Sequence, residues 1–321
     1  MIKNVGVIGS GTMGFGIAFQ FITNGLQVTI QDIRSEAFEI AKEKLQTYLN
    51  IFREEGVLIT DTDEVIIDRL KFTTKLEEIK HCDLIIESAT ENLELKRKIF
   101  KQLDDICAEK TIITSNTSSL KLSEITRDIS ESRRQRVLLT HFFNPAHIVP
   151  LVELLKAPET SQEVYKEVEA FMKKVGKVTI EVKKEVPGLV ANRIQTALAR
   201  EALALLEDGI VSEEDLENAI FAGPGFRFSS SGLLKIMDFG GLDVWSIVLD
   251  QLQPALESNI RTFEILKDKV KSNKFGVKTA EGFFEYPGKN MDGYVIERDR
   301  SLVQQLNTFN KILNAKEHEH A

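Results

Sequence analysis

The sequence predicts an α/β fold in which a doubly wound, mostly parallel sheet is followed by an all-helical second half. Up to about residue 185, short apolar runs alternate with amphipathic stretches, a pattern typical of parallel strands with helices on both faces. Beyond Val186-Pro187-Gly188 almost no strand pattern remains. We therefore predict a sheet domain over residues 1–185 and a helical domain over residues 186–321.

Eight short segments predict the strands of the sheet. They lie at residues 3–8, 26–30, 71–74, 82–89, 111–116, 136–143, 151–155 and 177–183. The run at 82–89 is apolar enough to be buried on both faces, as parallel strands are. Residues 35–70 predict a hairpin of two antiparallel helices, an insertion longer than a crossover between strands requires. In the second half, the longest predicted helices span residues 189–206 and 295–314.

The first strand is followed at once by a glycine-rich pattern, Gly9-Ser10-Gly11-Thr12-Met13-Gly14, and then by a predicted helix. Gly9 permits the tight turn, Gly11 lets a pyrophosphate approach the backbone, and Gly14 allows close packing of helix on strand. Amides at the helix start, including those of Thr12 and Met13, would face the phosphates. In this strand–turn–helix context the pattern predicts a Rossmann-type dinucleotide site.

An acidic residue, Asp32, stands at the end of the second predicted strand. A carboxylate at this position accepts hydrogen bonds from the adenosine ribose and repels a 2′-phosphate. The sequence therefore predicts NAD rather than NADP, although Arg34, two residues further on, weakens that discrimination. The alternative is a structural turn with a solvated aspartate.

Composition limits the expected partners and compartment. The net charge is −8 at pH 7 with no basic run, so nucleic acid is not an expected partner. No apolar run approaches membrane-spanning length. Because the sequence runs straight into the first predicted strand, we expect no signal peptide. The two cysteines, Cys82 and Cys107, lack metal-ligand spacing and suit a reducing compartment. We expect a cytoplasmic protein with no metal site.

A nicotinamide site needs a neighbouring group that takes a hydroxyl proton as hydride leaves the substrate. Among five histidines, His141 is placed at the C-terminal end of a predicted strand, where ligands bind in such sheets. Glu153 lies beyond the turn at Asn144-Pro145 and could orient the imidazole. A lone histidine at a strand end is more often structural than catalytic. For Glu153 the alternative to the orienting role is a surface carboxylate at a strand end, and position alone leaves these two interpretations near even.

Longer motifs resemble those of the 3-hydroxyacyl-CoA dehydrogenase family. They are Glu91-Asn92-Leu93-Glu94-Leu95-Lys96, Ser115-Asn116-Thr117-Ser118-Ser119-Leu120, His141-Phe142-Phe143-Asn144-Pro145, Pro150-Leu151-Val152-Glu153, Pro187-Gly188-Leu189-Val190-Ala191-Asn192-Arg193 and Gly240-Gly241-Leu242-Asp243. They follow the family's order and extend, with the glycine turn, from Gly9 to about Tyr286. The resemblance implies NAD-dependent oxidation of L-3-hydroxyacyl-CoA, of the short-chain 3-hydroxybutyryl-CoA type, in fatty acid β-oxidation or butanoate metabolism.

The resemblance also implies roles for individual residues. Four positions match residues around the reacting hydroxyl: His141 as general acid and base, Glu153 as its orienting carboxylate, Ser118 as a hydrogen-bond partner of the hydroxyl, and Asn192 near the reacting group. Three match cofactor-contacting positions, namely Glu91, Lys96 and Asn116. Without the family resemblance, Asn192 would be interpreted as a polar amide inside a helix. Lys96 would be a solvated charge on a helix, and Ser118 would be an ordinary helix cap.

The resemblance weakens around the substrate. Acyl-CoA members often carry lysines at the tip of the helical hairpin, where CoA phosphates bind, but here the tip is Arg53-Glu54-Glu55-Gly56-Val57-Leu58. A mostly helical extension over residues 287–321 also goes past the usual end of short acyl-CoA members. The segments at 148–154, 158–160 and 184–186 resemble instead a branch that includes lambda-crystallin (L-gulonate 3-dehydrogenase) and L-carnitine dehydrogenase. These enzymes use small 3-hydroxy acids without CoA.

Three functions therefore stay open. The motifs favour a 3-hydroxyacyl-CoA dehydrogenase, and the alternatives are a dehydrogenase of a small non-CoA 3-hydroxy acid and a non-catalytic, crystallin-like NAD-binding dimer. The long apolar faces of the helical half predict a homodimer in each case.

Overall fold

A computed structural model describes residues 2–260 and 262–319 of the chain, with side chains as far as residue 313. The chain divides into two compact units, Met1–Ala191 and Asn192–Ala321. The boundary expected after residue 185 stays a prediction. Among the described residues, no helix combines the length and apolar character that crossing a membrane requires.

The first unit is built on one eight-stranded sheet, as predicted. Its strands are β1 (Asn4–Ile8), β2 (Gln27–Gln31), β3 (Leu70–Thr73), β4 (Leu84–Glu87), β5 (Ile112–Ser115), β6 (Val137–Phe142), β7 (Leu151–Lys156) and β8 (Val178–Glu181). The order across the sheet is β3-β2-β1-β4-β5-β6-β7-β8. Neighbouring strands are parallel except β6 and β7. The predicted fold class, a doubly wound and mostly parallel sheet, is confirmed.

Helices of the first unit connect these strands. They are α1 (Thr12–Thr23), α2 (Glu36–Glu54), α3 (Asp63–Asp68), α4 (Leu93–Ile106), α5 (Leu122–Ile125), α6 (Glu131–Arg134) and α7 (Gln162–Lys174), with a 3-10 turn at Leu76–Ile79. Strands β4, β5 and β6 are buried along their whole length, because helices cover both faces of a parallel sheet. Because these strands are parallel, the carboxyl ends of β1, β2, β4, β5 and β6 lie at one edge of the sheet.

The second unit is helical, as predicted. Its helices are α8 (Ala191–Glu207), α9 (Glu213–Ile220), α10 (Phe226–Phe228), α11 (Leu233–Gly240), α12 (Leu242–Leu252), α13 (Glu264–Lys271) and α14 (Met291–Glu319), with 3-10 turns at Gln253–Ala255 and Val277–Thr279 and a π turn at Phe221–Gly225. Among its described residues, the buried apolar side chains are Ala204, Phe263 and Val303. Most of its large apolar side chains are exposed or half-buried.

Candidate active site

The glycine-rich turn has the geometry that a dinucleotide requires. Gly9 has a φ of +95°, and a Cβ on it would lie 2.6 Å from the Ser88 carbonyl oxygen. A Cβ on Gly14 would lie 1.9 Å from the Gly9 carbonyl oxygen. At Gly11, in contrast, an added Cβ would meet nothing within 4 Å. Gly9 and Gly14 therefore serve the fold, whereas Gly11 leaves open space in front of the first amides of α1 for a phosphate.

A cavity of about 650 Å³ opens beside this turn and is lined by Gly9, Gly11, Asp32 and Arg34, among others. Asp32 Oδ2 accepts hydrogen bonds from Ser10 N (2.8 Å) and Ser10 Oγ (2.7 Å), and Oδ1 accepts one from Arg34 N. Burial raises the pKa of Asp32, but these hydrogen bonds outweigh burial and hold the pKa below its ordinary value. An ionised carboxylate beside an open glycine turn fits the adenosine half of NAD.

We expect Asp32→Ala to weaken NAD binding by about tenfold or more and to reduce discrimination against NADP, because a ribose hydrogen-bond acceptor and a repelling charge are both lost. Calorimetric titration with NAD and with NADP measures both effects. Asp68→Ala is the control, because Asp68 is exposed and lies at the end of α3, outside the glycine turn. Equal loss of affinity for NAD and NADP would contradict the selectivity role of Asp32.

His141 and Glu153 form a buried pair at the edge of the sheet where the carboxyl ends of the parallel strands lie. They are direct partners in the antiparallel register of β6 and β7, so their side chains leave the sheet on the same face. His141 Nδ1 lies 2.7 Å from Glu153 Oε2. The His141 side chain is 7% exposed and that of Glu153 0%. The sheet thus brings together the two residues that the sequence paired, and their catalytic roles stay predictions.

The second oxygen of the carboxylate is bound by backbone. Glu153 Oε1 accepts hydrogen bonds from Val190 N at 2.9 Å and Ala191 N at 3.1 Å. Burial raises the pKa of Glu153, but the hydrogen bonds from His141, Ala191 and Val190 outweigh burial and hold the pKa below its ordinary value. Because an ionised carboxylate only accepts hydrogen bonds, His141 Nδ1 is the protonated ring nitrogen. His141 Nε2 is then the atom available to a substrate.

Asn116 and Ser118 follow β5 at the same edge. Asn116 Oδ1 accepts a hydrogen bond from Phe142 N at 2.8 Å. The backbone N–H of Asn116 donates to the Glu87 carbonyl oxygen. Asn116 therefore fixes the backbone of β6 one residue after His141. Ser118 is exposed and lines a small cavity with Leu139. The predicted cofactor and substrate contacts of these two side chains stay predictions.

Lys96 lies in a buried ion pair. Its Nζ is 2.6 Å from Glu87 Oε1 and 3.3 Å from Glu91 Oε2, and it is 1% exposed. Glu87 Oε2 accepts a second hydrogen bond from Ser115 Oγ at 2.6 Å. Lys96 therefore joins the ends of β4 and β5 to the start of α4.

Glu91 is the exposed member of this network. Its Oε1 accepts hydrogen bonds from Thr117 Oγ1 and from Ser119 Oγ and N. Burial raises the pKa of Glu91, but the hydrogen bonds from Thr117 and Ser119 and the charge of Lys96 hold the pKa below its ordinary value. Glu91 thus orders the loop that carries Ser118. The cofactor contacts predicted for Glu91 and Lys96 stay predictions.

Asn192, the fourth residue predicted near the reacting hydroxyl, lies in the first turn of α8. It directly follows Val190 and Ala191, whose amides bind Glu153. Its predicted role stays a prediction.

Sequence reasoning did not identify Glu87 or Lys177. The signal for Glu87 is its place as the one charge in the apolar strand Leu84-Ile85-Ile86-Glu87, because a buried charge requires a partner. Lys177 Nζ donates hydrogen bonds to the carbonyl oxygens of Ala146 (2.6 Å) and Val149 (3.0 Å) in the loop between β6 and β7. Burial lowers the pKa of Lys177 to about 7.

We expect Lys177→Met to change how stability depends on pH. The unfolded chain binds a proton at Lys177 up to a pKa of about 10.4, whereas the folded protein releases it above about 7. The cost of burying the charge is therefore complete below pH 7 and disappears as the pH rises to about 10.4. Urea unfolding should show wild type gaining about 2–3 kcal/mol relative to the variant between pH 7 and pH 9.5.

The exposed substitution Lys173→Met is the control for Lys177→Met and should keep the wild-type pH dependence. A constant difference in unfolding free energy between wild type and Lys177→Met over this pH range would contradict the assigned titration.

Two family models match the chain. They are "3-hydroxyacyl-CoA dehydrogenase, NAD binding domain" over residues 4–186 and "3-hydroxyacyl-CoA dehydrogenase, C-terminal domain" over residues 188–286. A probable 3-hydroxybutyryl-CoA dehydrogenase of Bacillus subtilis is 34% identical, over 90% of this chain and 99% of the relative. The 5-formyl-3-hydroxy-2-methylpyridine 4-carboxylate 5-dehydrogenase of Mesorhizobium japonicum is 30% identical, over 94% and 97%.

Solved structures give the same family. A crystal structure of the 5-formyl-3-hydroxy-2-methylpyridine 4-carboxylic acid 5-dehydrogenase, described as an NAD+ dependent dismutase, matches with a TM-score of 0.88 at 30% identity, over 97% of this chain and 99% of that one. The (S)-3-hydroxybutyryl-CoA dehydrogenase from Ralstonia eutropha matches with a TM-score of 0.71 at 33% identity, over 90% and 100%. The chain therefore belongs to the 3-hydroxyacyl-CoA dehydrogenase family, and its cofactor is NAD.

Proposed function

We propose that this protein is an NAD-dependent dehydrogenase that oxidises L-3-hydroxyacyl-CoA with a short acyl chain, and also catalyses the reverse reaction. The observation that carries the proposal is the buried His141–Glu153 pair at the carboxyl edge of the sheet, which also holds the glycine turn. The motif matches and the 3-hydroxybutyryl-CoA dehydrogenases among the relatives support the acyl-CoA substrate. A place in fatty acid β-oxidation or butanoate metabolism follows from that substrate.

Each residue of the site has its own role in the transfer of the hydroxyl proton. Bound NAD supplies a nicotinamide that accepts the hydride in oxidation and returns it in reduction. In oxidation, neutral His141 removes the hydroxyl proton through Nε2, and Glu153 stabilises the resulting imidazolium through Nδ1. Ser118 and Asn192 hold the substrate oxygen. In reduction, His141 begins protonated and gives the proton back.

A second candidate substrate is a small carboxylic acid without CoA, and the helical hairpin favours it. Arg53 is the cation at the tip, and its guanidinium is already bound to the Asp63 carboxylate and the Asp61 carbonyl oxygen. Glu54 and Glu55 add negative charge beside it. The phosphates of CoA would therefore be repelled at this tip.

The pyridine-carboxylate dehydrogenase supports the second candidate, because the likeness extends over nearly all of both chains. The same acid–base pair would serve an aldehyde hydrate. Its carbon bears a hydroxyl and a hydrogen, so loss of a proton to His141 and of hydride to NAD gives a carboxylic acid. A non-catalytic NAD-binding protein, the third alternative, would have no need to keep the buried pair.

Turnover measured at 340 nm separates these candidates. Purified protein is assayed for NADH oxidation with acetoacetyl-CoA and with free acetoacetate, and for NAD reduction with L-carnitine, L-gulonate and a formylpyridine carboxylate. Turnover of acetoacetyl-CoA alone supports the acyl-CoA proposal. Turnover confined to a free acid replaces it with the second candidate. Inactivity on every compound, with NAD bound, favours the non-catalytic alternative.

We also propose a homodimer formed through the helical unit. Large apolar side chains are exposed there, among them Phe221, Phe226, Phe239, Leu242 and Ile247. Exposed apolar side chains of this size, in a unit whose described residues include few buried apolar ones, favour burial against a second copy. Light scattering of the eluted protein measures the mass. A monomer at micromolar concentration would contradict the proposal.

A further inference from the structure

The turn at residues 187–190, between the last strand and α8, has an unusual backbone. Gly188 has a φ of +77°, and Leu189 has a φ of +50°, a left-handed conformation that side chains with a Cβ seldom adopt. Leu189 is nevertheless buried, and its amide donates to the Val186 carbonyl oxygen at 3.1 Å. Backbone strain of this kind persists where the surrounding structure requires it.

The consequence of the turn is the direction of the two amides that follow it. Val190 N and Ala191 N converge on one atom, Glu153 Oε1, at 2.9 and 3.1 Å. Successive amides beside a left-handed residue form a concavity that binds anions. Here the bound anion is the protein's own buried carboxylate. We call residues 188–191 the amide turn.

Glu153 therefore divides its two oxygens between the amide turn and the imidazole. Oε1 accepts from the turn, and Oε2 lies 2.7 Å from His141 Nδ1. Beside Glu153 in the sheet stand His141 on β6 and Ile180 on β8. Side chains alternate between the two faces along a strand. The charged side chains of Glu181 in β8 and of Lys177 just before it therefore lie on the face opposite to Ile180.

From this arrangement we propose that the amide turn is a positioning element for the proton transfer at His141: by binding Glu153 Oε1, it limits how strongly the carboxylate attracts the imidazole proton. The catalytic consequence rests on the proposed function of His141. The effect on the imidazole itself does not depend on any substrate.

The direction of the effect follows from charge. A hydrogen bond from backbone N–H to a carboxylate draws negative charge towards the donor and lowers the basicity of the group. If one N–H is removed, more charge remains on the carboxylate and stabilises the imidazolium. The imidazole should then hold its proton to higher pH. A turn that only satisfied a buried carboxylate would change the stability of the fold but not this midpoint.

Ala191→Pro is the direct test. Ala191 is the first residue of α8, a position where proline is accepted and where no helical hydrogen bond is lost. The change therefore removes one of the two N–H groups that bind Glu153 Oε1, and the Val190 N–H remains. Glu213→Pro, at the first residue of α9, is the matched control. Replacement of Ala191 by lactate through nonsense suppression removes the same N–H by an ester, without restricting the backbone, if the proline variant does not fold.

The readout is an NMR titration of the His141 imidazole, assigned by its loss in His141→Gln. We expect the midpoint in the Ala191 variants to move to higher pH by about 0.5 unit or more, with the control unchanged. A folded Ala191 variant with the wild-type midpoint would overturn the inference. Because the titration needs no substrate, an enzyme inactive on every compound but with a shifted midpoint would refute the proposed function and leave the inference standing.

Discussion

His141→Gln should lower turnover by about 10³-fold or more while the affinity for NAD stays within twofold of wild type. Glutamine has the length to reach Glu153 Oε2 but cannot exchange a proton at neutral pH. Asp32 is held by hydrogen bonds from Ser10 and Arg34, whereas the imidazole is paired with Glu153, so the change leaves the hydrogen bonds of Asp32 in place. Steady-state kinetics with the substrate identified by the assays, and NAD titration of the same preparation, measure the two quantities.

The control for this change is His81→Gln, because His81 is exposed and precedes β4 at the opposite edge of the sheet. It should keep full activity. If His141→Gln retained more than a tenth of wild-type turnover, His141 would not be the general acid and base, and the buried pair would be structural.

Lys96→Met should destabilise the folded protein by about 3–5 kcal/mol, because it leaves the Glu87 carboxylate buried without its cation. Hydrogen bonds from Ser115 Oγ and Ala89 N remain on Glu87 but supply no compensating charge. Urea unfolding measures the difference. In the double variant Lys96→Met, Glu87→Leu most of the loss should be recovered, since the unpaired charge is then absent.

Lys101→Met on the same helix is the matched control. Lys101 is exposed and paired with Asp105, so its loss should change the unfolding free energy far less than the loss of Lys96 does. A similarly small effect for Lys96→Met, combined with weaker NAD binding, would contradict the structural role and favour the cofactor contact that the family resemblance implies.

The fold was largely predictable because its elements have a simple periodicity. All eight strands were predicted as short segments of four to eight residues, and the longest helices of the second unit as long stretches of helical pattern. The helix α7 was not predicted, although Val164, Val168, Phe171 and Met172 give it a buried face. The antiparallel step between β6 and β7 was not predicted either, because register and direction depend on contacts far apart in sequence.

The site was predictable only in part. The sequence paired His141 with Glu153, but the reason for their contact is the register of two antiparallel strands. The interpretation of Lys96 as a solvated charge, made without the family, was wrong because Lys96 lies on the apolar face of α4 with Ile99 and Phe100. That spacing was visible in the sequence. The amides that bind Glu153 were not, because backbone donors leave no residue-type signal.

In the proposed reaction, one ionisation at the His141–Glu153 pair serves both directions. The decisive experiment is the pH dependence of kcat/KM for NAD reduction and for NADH oxidation, with one substrate pair and one preparation. We expect oxidation of the hydroxy substrate to rise with pH and reduction of the keto substrate to fall, with a common midpoint. Profiles that move in the same direction, or that do not change between pH 5 and 9, would contradict it.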